Sequence, residues 1–586
     1  MIILGINYYH ANSSAALVVD GKLVFAIEEE RLNRIKNSGG FPKLSIIECL
    51  KFSKLTLNNI DFIAINSDPK KFILKKIQFT LSNKINFDEL IKKSKNIFKK
   101  QNIRKQFDKI NQFGNFNGEI INIEHHLSHI ASSYYLSSFD EAIGVSVDGS
   151  GDFTTTSNSI CSGGLVHMKD RIFYPHSLGI FYTAISNFLG FDKYGEEYKV
   201  MALGAYGNSS LDNKLQELMD FDNDGKFKLK LDFFNHHKSI NTFKIENNEI
   251  IVRELINKNK LEELLKFKKR NRTQELEANH FNLAKSLQNL FEKAYINYLN
   301  FSYDKFKLDN LCLAGGCAMN SLANGKILSQ TKFKKIHIQP AAYDAGGAIG
   351  AALHCSVLKG QKLEKENNQK IYLGPRFSNN EIGEVIESYK KEFNEKKIQF
   401  RFYDNARELT EYITRNLINK KIIGFFRGNL EWGARALGNR SIIADPRGEN
   451  IKNLINKKIK RRESFRPFAP IILSDFYKDW FLLDREIPTM MEVHKIKSNK
   501  KNIIPAVVHK DGTCRLQTIN SKDNNFFYNL LYNFYEKTNV PILLNTSFNE
   551  NEPIVCKPEE AIKTFIRVDM DILVLEDYIL ERKENI

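Results

Sequence analysis

The chain has 586 residues, of which 42% are apolar and 26% charged, and its formal net charge is +17 at pH 7. This length and apolar content predict two to four domains with sizeable cores and exclude a generally disordered chain. No run of about 18 apolar residues occurs and the first residues lack a basic flank, so we expect neither a membrane span nor a signal peptide. The seven scattered cysteines form no CxxC pair, which favours a reduced, cytoplasmic protein.

The N-terminal part of the chain predicts strands that alternate with helices. Residues 2–7 (IILGIN) predict a first strand, and a hairpin with an Asp20-Gly21 turn follows. Residues 62–66 and 120–126 predict two further strands, with a helical, Lys-rich stretch between them. The run 141–152 is apolar and ends in the glycine turn DGSGD. Strands that end in acidic or glycine turns and feed helices predict an α/β domain with ligands at the strand ends.

The rest of the chain continues this pattern. Residues 310–320 and 341–353 each predict a strand, a glycine turn and a helix. Residues 210–275 are charged and poor in apolar residues, and we predict an irregular insertion or lid there. Residues 357–372 predict a linker that separates a first domain, residues 1–356, from a second α/β domain, residues 373–586. No internal repeat is visible.

The stretch EHHLSH, which ends at His129, places three of the thirteen histidines within five positions. On a helix His125 and His129 share a face and could bind one ion, or all three could be ordinary polar residues at a helix start. Asp148 and Asp344 follow predicted strands, where the ligands of an α/β domain converge. Two imidazoles and two carboxylates would suit a divalent transition metal, with Fe²⁺ our expected ion. His126 is then left for packing or hydrogen bonding.

Two glycine turns predict a second kind of site. Gly149 and Gly151 lie in DGSGD, while Gly315, Gly316 and Asn320 lie in AGGCAMN. We expect both turns at strand–helix junctions, where exposed backbone amides bind phosphate. Together with the DAGG sequence that begins at the second aspartate, these turns look like the ligand loops of the actin, sugar-kinase and heat-shock-ATPase superfamily, a resemblance that implies two subdomains in the first domain.

A family resemblance connects these motifs. The whole chain resembles the O-carbamoyltransferases that modify nodulation factors, cephalosporins and aminoglycosides. In the first half the resemblance rests on GINYYHANSSAALVVDGKLVFAIEEERLNRIKNSGGFP, HHLSHIASSYYLS, VSVDGSGD, GEEYKVMALGAYG, LAGGCAMN and YDAGGAIGAA. In the second half it rests on RGNLEWGARALGNRSIIADPR, IKRRESFRPFAP, DGTCRLQT and NTSFNENEPIV. The motifs stand in the family's order over nearly the full length.

The resemblance implies two linked reactions. The C-terminal domain would convert carbamoyl phosphate and ATP, the latter with Mg²⁺, into carbamoyl-adenylate. The N-terminal domain, which binds the metal, would transfer the carbamoyl group to a hydroxyl of a small-molecule or sugar acceptor. His10, just past the first strand, is then the candidate catalytic residue that orients or deprotonates this hydroxyl.

The residues of the second half suit anionic substrates. Guanidinium groups bind phosphates bidentately and lysine adds a point charge, whereas short amide and hydroxyl side chains can bind the carbamoyl amide. The predicted carbamoyl-phosphate and ATP ligands are Arg435, Arg440, Lys460, Arg462, Arg466, Arg515, Asn545, Ser547 and Asn549.

Three other functions compete with this interpretation. A tRNA threonylcarbamoyl-type modification enzyme would account for the positive charge, but no aromatic-interleaved basic motif supports nucleic-acid binding. A sugar kinase would leave the arginines unexplained, and a non-catalytic scaffold would not need the intact motifs. The sequence names neither the acceptor nor the oligomeric state, and a homodimer stays open.

Overall fold

Two units make up the chain in the computed structural model, which describes residues 1–83, 103–238, 242–365 and 370–582. The first unit comprises Met1–Gln369 and the second Lys370–Ile586. Part of the Lys-rich stretch predicted between the fourth and fifth strands, and residues 366–369 of the predicted linker, lie outside the described residues.

The first unit contains two five-stranded sheets with the same strand order. The first sheet is ordered β3-β2-β1-β4-β5, and the second β8-β7-β6-β13-β14. In both, the first three strands pair antiparallel and the last two extend the sheet in parallel. The strands of the first sheet are β1 Ile2–Asn7, β2 Ser14–Val19, β3 Lys22–Glu28, β4 Phe62–Ile65 and β5 Glu119–Asn122. Those of the second are β6 Ala142–Gly151, β7 Thr154–Ser162, β8 Leu165–Phe173, β13 Asn310–Ala314 and β14 Lys335–Ile338.

This repeated strand order is a duplication that the sequence did not reveal. Each half keeps the order of strands and turns, whereas its side chains differ, so no sequence repeat is visible. The predicted α/β class with two subdomains in the first domain is confirmed. β1 illustrates why the pattern was recognisable: five of its six residues are buried, as in a strand that is covered on both faces.

Helices connect and cover these sheets. The helices of the first unit are Glu29–Asn33, Lys43–Phe52, Ile73–Ser82, Ile103–Phe107, His125–Tyr134, Leu178–Phe188, Glu197–Leu203, Asp212–Gln216, Lys258–Leu265, Ala278–Phe306, Ser321–Asn324, Ile327–Gln330 and Gly346–Leu358. Two of them hold equivalent places, because His125–Tyr134 follows β5 and Gly346–Leu358 follows β14. Their backbones nearly touch: a side chain at Gly350 would collide with the carbonyl of Ser128. The small residues of AGGAIGAA make this close packing possible.

The structure corrects two local predictions in the first unit. The segment 120–126 is a strand only as far as Asn122, and a helix starts at His125. DGSGD does not join a strand to a helix: β6 runs through Gly151 into a hairpin whose two turn residues, Asp152 and Phe153, have φ of 46° and 74°. Such a two-residue turn with positive φ suits a hairpin, so DGSGD forms the end of β6 and the first residue of its hairpin turn.

Residues 210–275 are more regular than expected. They contain two hairpins, β9 Met219–Phe221 with β10 Phe227–Leu229, and β11 Phe243–Glu246 with β12 Glu249–Val252. The second hairpin turns at Asn247 and Asn248, both with positive φ, which asparagine tolerates better than most residues. Short strands with weak alternation gave too little pattern to predict these hairpins.

The second unit is built around one mixed eight-stranded sheet, ordered β15-β24-β23-β16-β17-β22-β18-β21. Its strands are β15 Ile398–Phe402, β16 Ile423–Phe426, β17 Arg440–Ala444, β18 Ala469–Leu473, β21 Gln517–Ile519, β22 Ile542–Ser547, β23 Ile572–Leu575 and β24 Tyr578–Arg582, and β19 His494–Lys495 pairs separately with β20 Thr513–Cys514. Its α-helices are Asn379–Ser388, Lys390–Glu395, Ala406–Ile418, Glu449–Leu454, Tyr477–Trp480, Asn525–Thr538 and Pro558–Arg567. The second α/β domain therefore has its own sheet and core.

Candidate metal centre and arginine cluster

The four predicted metal ligands lie together in the first unit. One potential ligand atom from each of His125, His129, Asp148 and Asp344 lies within 4.8 Å of every other. The two Nε2 atoms are 3.0 Å apart, and Asp344 Oδ1 is 3.6 Å from one and 3.5 Å from the other. Asp148 Oδ2 is 3.4 Å from His125 Nε2 and 4.0 Å from His129 Nε2. Four ligands at about 2.1 Å around one tetrahedral ion would be separated by about 3.4 Å, so this donor set fits a divalent transition metal.

The four ligands reach the cluster from three different parts of the first unit. The histidines begin the helix after β5, Asp148 lies within β6, and Asp344 lies just before the helix after β14. The backbone amide of Gly316, after β13, donates to Asp148 Oδ1 at 2.8 Å and fixes that carboxylate. The convergence therefore follows from the strand order, as ligand sites at the ends of parallel strands usually do.

Charge is concentrated at this cluster. Burial alone would lower the pKa of His125, but its hydrogen bond to Asp148 and the charges of Asp344 and Asp148 outweigh burial and raise the pKa to about 9. Burial would raise the pKa of Asp148, yet its bond to His125 and the charge of His129 hold it well below its usual range. The carboxylates thus create a strongly cation-attracting centre in the interior.

His126 packs and forms hydrogen bonds, which is the role predicted for it if it does not bind the metal. Its Nε2 lies 3.0 Å from the carbonyl oxygen of Thr154, and its Nδ1 lies 3.3 Å from Ser157 Oγ. Burial, followed by the positive charge of His125, lowers its pKa well below the usual value. A neutral His126 therefore holds the ligand helix against β7.

His10 lies next to the cluster. Its Nδ1 is 3.9 Å from Asp344 Oδ2, and its ring stacks on that of His125 with centroids 5.0 Å apart. It follows Tyr9, which has φ of 50°, in a turn whose backbone is bonded to Gly40. The structure thus brings the predicted catalytic residue beside the predicted ligands.

The predicted glycines and Asn320 differ in how closely they pack against their surroundings, and their phosphate binding stays a prediction. A Cβ on Gly151 would lie 2.5 Å from His125 Nε2 and closer still to two other ring atoms, whereas a Cβ on Gly149 would meet nothing within 4 Å. Gly315 has φ of 90° and packs against the backbone of Val147. Asn320 caps the helix Ser321–Asn324 and exchanges hydrogen bonds with Gln288. These contacts commit Gly151, Gly315 and Asn320 to shaping the centre.

Residues that the sequence did not single out complete the centre. Asp152 accepts hydrogen bonds from the backbone of His125 and Asp68, and Asn66 donates to Asn7. Asp152 lies in the quoted DGSGD motif, and that was the only signal for it. Asn7 and Asn66 follow a general pattern, because each stands where a parallel strand ends.

The predicted arginines of the second unit form a cluster. Burial, followed by the charges of Arg435, Arg462 and Arg466, lowers the pKa of Arg515 well below its usual value. The Nε of Arg515 is buried and has no hydrogen-bond partner among the described residues. Four guanidinium groups brought together in this way make a site for a highly charged anion.

The neighbours of these arginines keep the cluster in place. Asn456 accepts from Arg462 Nε at 2.7 Å and donates to the carbonyl of Arg466 at 3.3 Å. Lys452 and His509, which sequence analysis missed, lie near enough for their charges to affect the arginines and each other. No motif in the sequence marks them.

Lys460 is engaged by the predicted carbamoyl loop. Its Nζ donates to the carbonyl of Ser547 at 2.5 Å and to the carbonyl and Oδ1 of Asn549 at 2.8 Å each. The side-chain amide of Asn545 donates to Ala436 and Gln517, while its Oδ1 is buried with no hydrogen-bond partner among the described residues. Lys460 therefore orders the loop, and the Oδ1 of Asn545 is an acceptor that the described residues do not satisfy.

Arg440 makes contacts of a different kind from those of the arginine cluster. Its guanidinium is fully buried, lies 3.6 Å over the ring of Phe426 and donates to carbonyls that include those of Gly428 and Pro375. The amide of Arg440 is itself bonded to Glu431 Oε1. These bonds tie Arg440, the first residue of β17, to the loop before that strand, and its phosphate contact stays a prediction.

Among the residues that the structure describes, no helix combines the length and the apolar character needed to cross a membrane.

Comparisons with known proteins identify the family. The carbamoyltransferase N-terminus model matches residues 2–353, and the carbamoyltransferase C-terminus model matches residues 414–582. Nodulation protein NolNO of Sinorhizobium fredii is 32% identical over 98% of this chain and 80% of its own length. The uncharacterized protein sll1178 of Synechocystis is 35% identical over 99% of this chain and 96% of its own length. The solved structure of HypF from T. kodakarensis is similar over 63% of this chain and 49% of its own, with 15% identity and a TM-score of 0.31. On the evidence of the two family models and the nodulation protein, the chain belongs to the carbamoyltransferase family and is a carbamoyltransferase.

Proposed function

We propose that this carbamoyltransferase is ATP-dependent and acts in two steps. The second unit converts carbamoyl phosphate and Mg-ATP into carbamoyl-adenylate, with release of phosphate and pyrophosphate. The first unit transfers the carbamoyl group to a hydroxyl of a polar small molecule or sugar, and AMP leaves. The observation that carries the proposal is the cluster of Arg435, Arg462, Arg466 and Arg515 in a unit separate from the metal centre.

The arginine cluster supports adenylate formation on grounds of charge. Carbamoyl phosphate and ATP together bring roughly six negative charges, which planar guanidinium groups neutralise well. Burial is the main reason that the pKa of Arg515 is depressed, and the positive charges of the other three arginines lower it further. A bound triphosphate or phosphate removes this repulsion, so the cluster is preorganised for substrates of this kind.

The loop that includes Asn545 supports recognition of the carbamoyl end. A carbamoyl group offers an N–H₂ donor and a carbonyl acceptor. The buried Oδ1 of Asn545 accepts a hydrogen bond from such a donor, and Ser547 and Asn549 stand near it, ordered by Lys460. A buried acceptor without a partner costs about 1–3 kcal/mol, and a substrate amide would remove this cost.

The metal centre and His10 support transfer in the first unit. The carbamate carbonyl is a poor electrophile, so the adenylate supplies the leaving group and the site must stabilise the charge that develops. A divalent cation held by His125, His129, Asp148 and Asp344, Fe²⁺ by our proposal, supplies a Lewis acid for this purpose. His10, within 4 Å of Asp344, takes the proton of the acceptor hydroxyl.

The hairpin Phe243–Val252 supports an acceptor site beside His10. The carbonyl of Asn248 in its turn accepts from the amide of Gly39, and the adjacent Gly40 is bonded to Tyr9. Phe243 contacts the ring of Tyr194. This part of the 210–275 insertion therefore meets the loop that holds the His10 turn, where an acceptor-specific element would be placed.

Pyrophosphate release tests the first step. We expect release from Mg-ATP only when carbamoyl phosphate is present. Arg515→Ala should abolish it, since removing one partner of a buried charge contact costs about 2–5 kcal/mol. Arg407→Ala, an exposed arginine of the same unit, is the matched control and should retain wild-type activity. Release that does not depend on carbamoyl phosphate would contradict the proposal.

A further inference from the structure

Asp152 holds three separate segments around the metal centre. Its Oδ2 accepts hydrogen bonds from the amides of His125 at 2.9 Å and Asp68 at 2.7 Å, and its Oδ1 accepts from Ser67 Oγ at 2.9 Å. It stands in the two-residue turn of the β6–β7 hairpin, with φ of 46°. One carboxylate thus joins the second sheet, the loop after β4 of the first sheet and the first residue of the ligand helix.

The loop after β4 extends this connection to the opposite side of the centre. Asn66, fully buried, donates from Nδ2 to Asn7 Oδ1 at 3.1 Å and to the carbonyl of Asp344 at 3.5 Å. Asn7 in turn donates to the carbonyls of Ala11 and Asn12 at 2.8 Å each, which immediately follow His10. Residues Asn66–Asp68 and Asp152, which we call the positioning clamp, therefore tie together the backbones that carry His125, Asp344 and His10.

The helix of the two histidine ligands depends on this clamp for its start. Its N-cap residue, Glu124, makes no side-chain capping bond. The first amides of a helix need an acceptor, and a carboxylate there also stabilises the positive end of the helix dipole. Asp152 provides both from a distant part of the sequence, because it is 27 residues from His125.

We propose that Asp152 is a positioning residue for the metal centre, acting through His125 and through Asn66–Asp68. The inference rests on the proposed metal site. Metal binding tolerates errors of only about 0.2 Å in ligand distances, whereas a helix start without its cap frays over larger distances. Asp152 touches no ligand side chain in this role, so its loss should weaken metal binding while all four ligands remain present.

Cobalt binding to the metal-free full-length protein tests the inference. We expect Asp152→Ala to raise the Kd for Co²⁺ by about 10–100-fold, as losses of supporting hydrogen bonds around metal sites do. The visible absorption bands of Co²⁺ should also change, because the coordination geometry is no longer fixed. Asp152→Asn keeps one oxygen that can accept from the amides. Its Kd for Co²⁺ should therefore lie between those of the wild type and Asp152→Ala. The control is Asp170→Ala in the neighbouring strand β8, which removes an ion pair with Lys305 of the helix Ala278–Phe306. This variant should behave as wild type.

Unfolding measurements separate positioning from general stability. If Asp152→Ala lowered the unfolding temperature but kept the wild-type Kd and Co²⁺ spectrum, the residue would be merely structural and the inference would be overturned. If Asp152→Ala fails to fold, Asp152→Asn decides by the same two readouts. A wild-type protein that binds no Co²⁺ would overturn the metal site and this inference together, whereas unchanged binding in the variants alone would overturn only the inference.

Discussion

Replacing Gly151 by alanine tests the metal centre without removing a ligand. The added methyl group would lie 2.5 Å from His125 Nε2 and closer to two other atoms of the same ring. Ordinary contact requires about 3.4 Å, so the imidazole must move by about 0.9 Å or more, against a tolerance of about 0.2 Å for metal ligands. We therefore expect Gly151→Ala to lose one ligand and to lower metal affinity by more than about 100-fold.

Gly149→Ala is the matched control in the same motif. A methyl group there would meet nothing within 4 Å, and neither glycine has a positive φ, so backbone strain does not distinguish the two variants. Overpacking at Gly151 should also destabilise the protein by roughly 1–3 kcal/mol, which thermal unfolding of the metal-free protein would measure.

Elemental analysis and Co²⁺ titration of the two variants supply the result. We expect Gly149→Ala to retain metal and Gly151→Ala to lose it while both remain folded. If Gly151→Ala bound metal with wild-type affinity, His125 could not be a ligand in the geometry described, and the ligand set would be refuted.

Three further predictions concern the two steps and the acceptor. His10→Asn should keep carbamoyl-phosphate-dependent pyrophosphate release but lose carbamoyl transfer; equal loss of both would contradict the separation of the two sites. Arg466→Ala should abolish pyrophosphate release and leave bound metal, measured by elemental analysis, at the wild-type level. Replacing the hairpin 243–252 by a short Gly-Ser turn should raise the acceptor KM and increase acceptor-independent AMP release, with pyrophosphate release intact. Unchanged acceptor kinetics in the folded variant would exclude the hairpin from acceptor recognition.

The four predicted ligand residues lie together in the structure as the sequence predicted, because they follow general rules. Two histidines four positions apart share a helix face, and aspartates after strands of an α/β domain point to a common edge. The positioning residues were harder to find. Asp152 caps a helix that begins far from it in sequence, so no local capping pattern at Glu124 announced either the cap or the helix start.

The arginines show a different limit. Their residue types predicted an anion site, but residue type does not tell which guanidinium groups face a ligand. The terminal guanidinium nitrogens of Arg440 donate to backbone carbonyls, and Lys460 orders a loop, whereas Arg515 lies among other cations. Only packing distinguishes these three, because residue type alone predicts a cation at each position.

The repeated strand order of the first unit explains why its centre has this composition. β1 and β6 occupy the same place in their sheets, and they lead to His10 and contain Asp148. β5 and β14 are likewise equivalent, and the helices after them begin at His125 and just beyond Asp344. Each half therefore contributes one residue from its first strand or just after it, His10 or Asp148. Each half contributes its other residues at the start of the helix that follows its last strand. Since equivalent positions carry imidazole in one half and carboxylate in the other, the duplicated fold places four potential cation ligands beside a further imidazole, which is the combination that the proposed carbamoyl transfer to a hydroxyl would use.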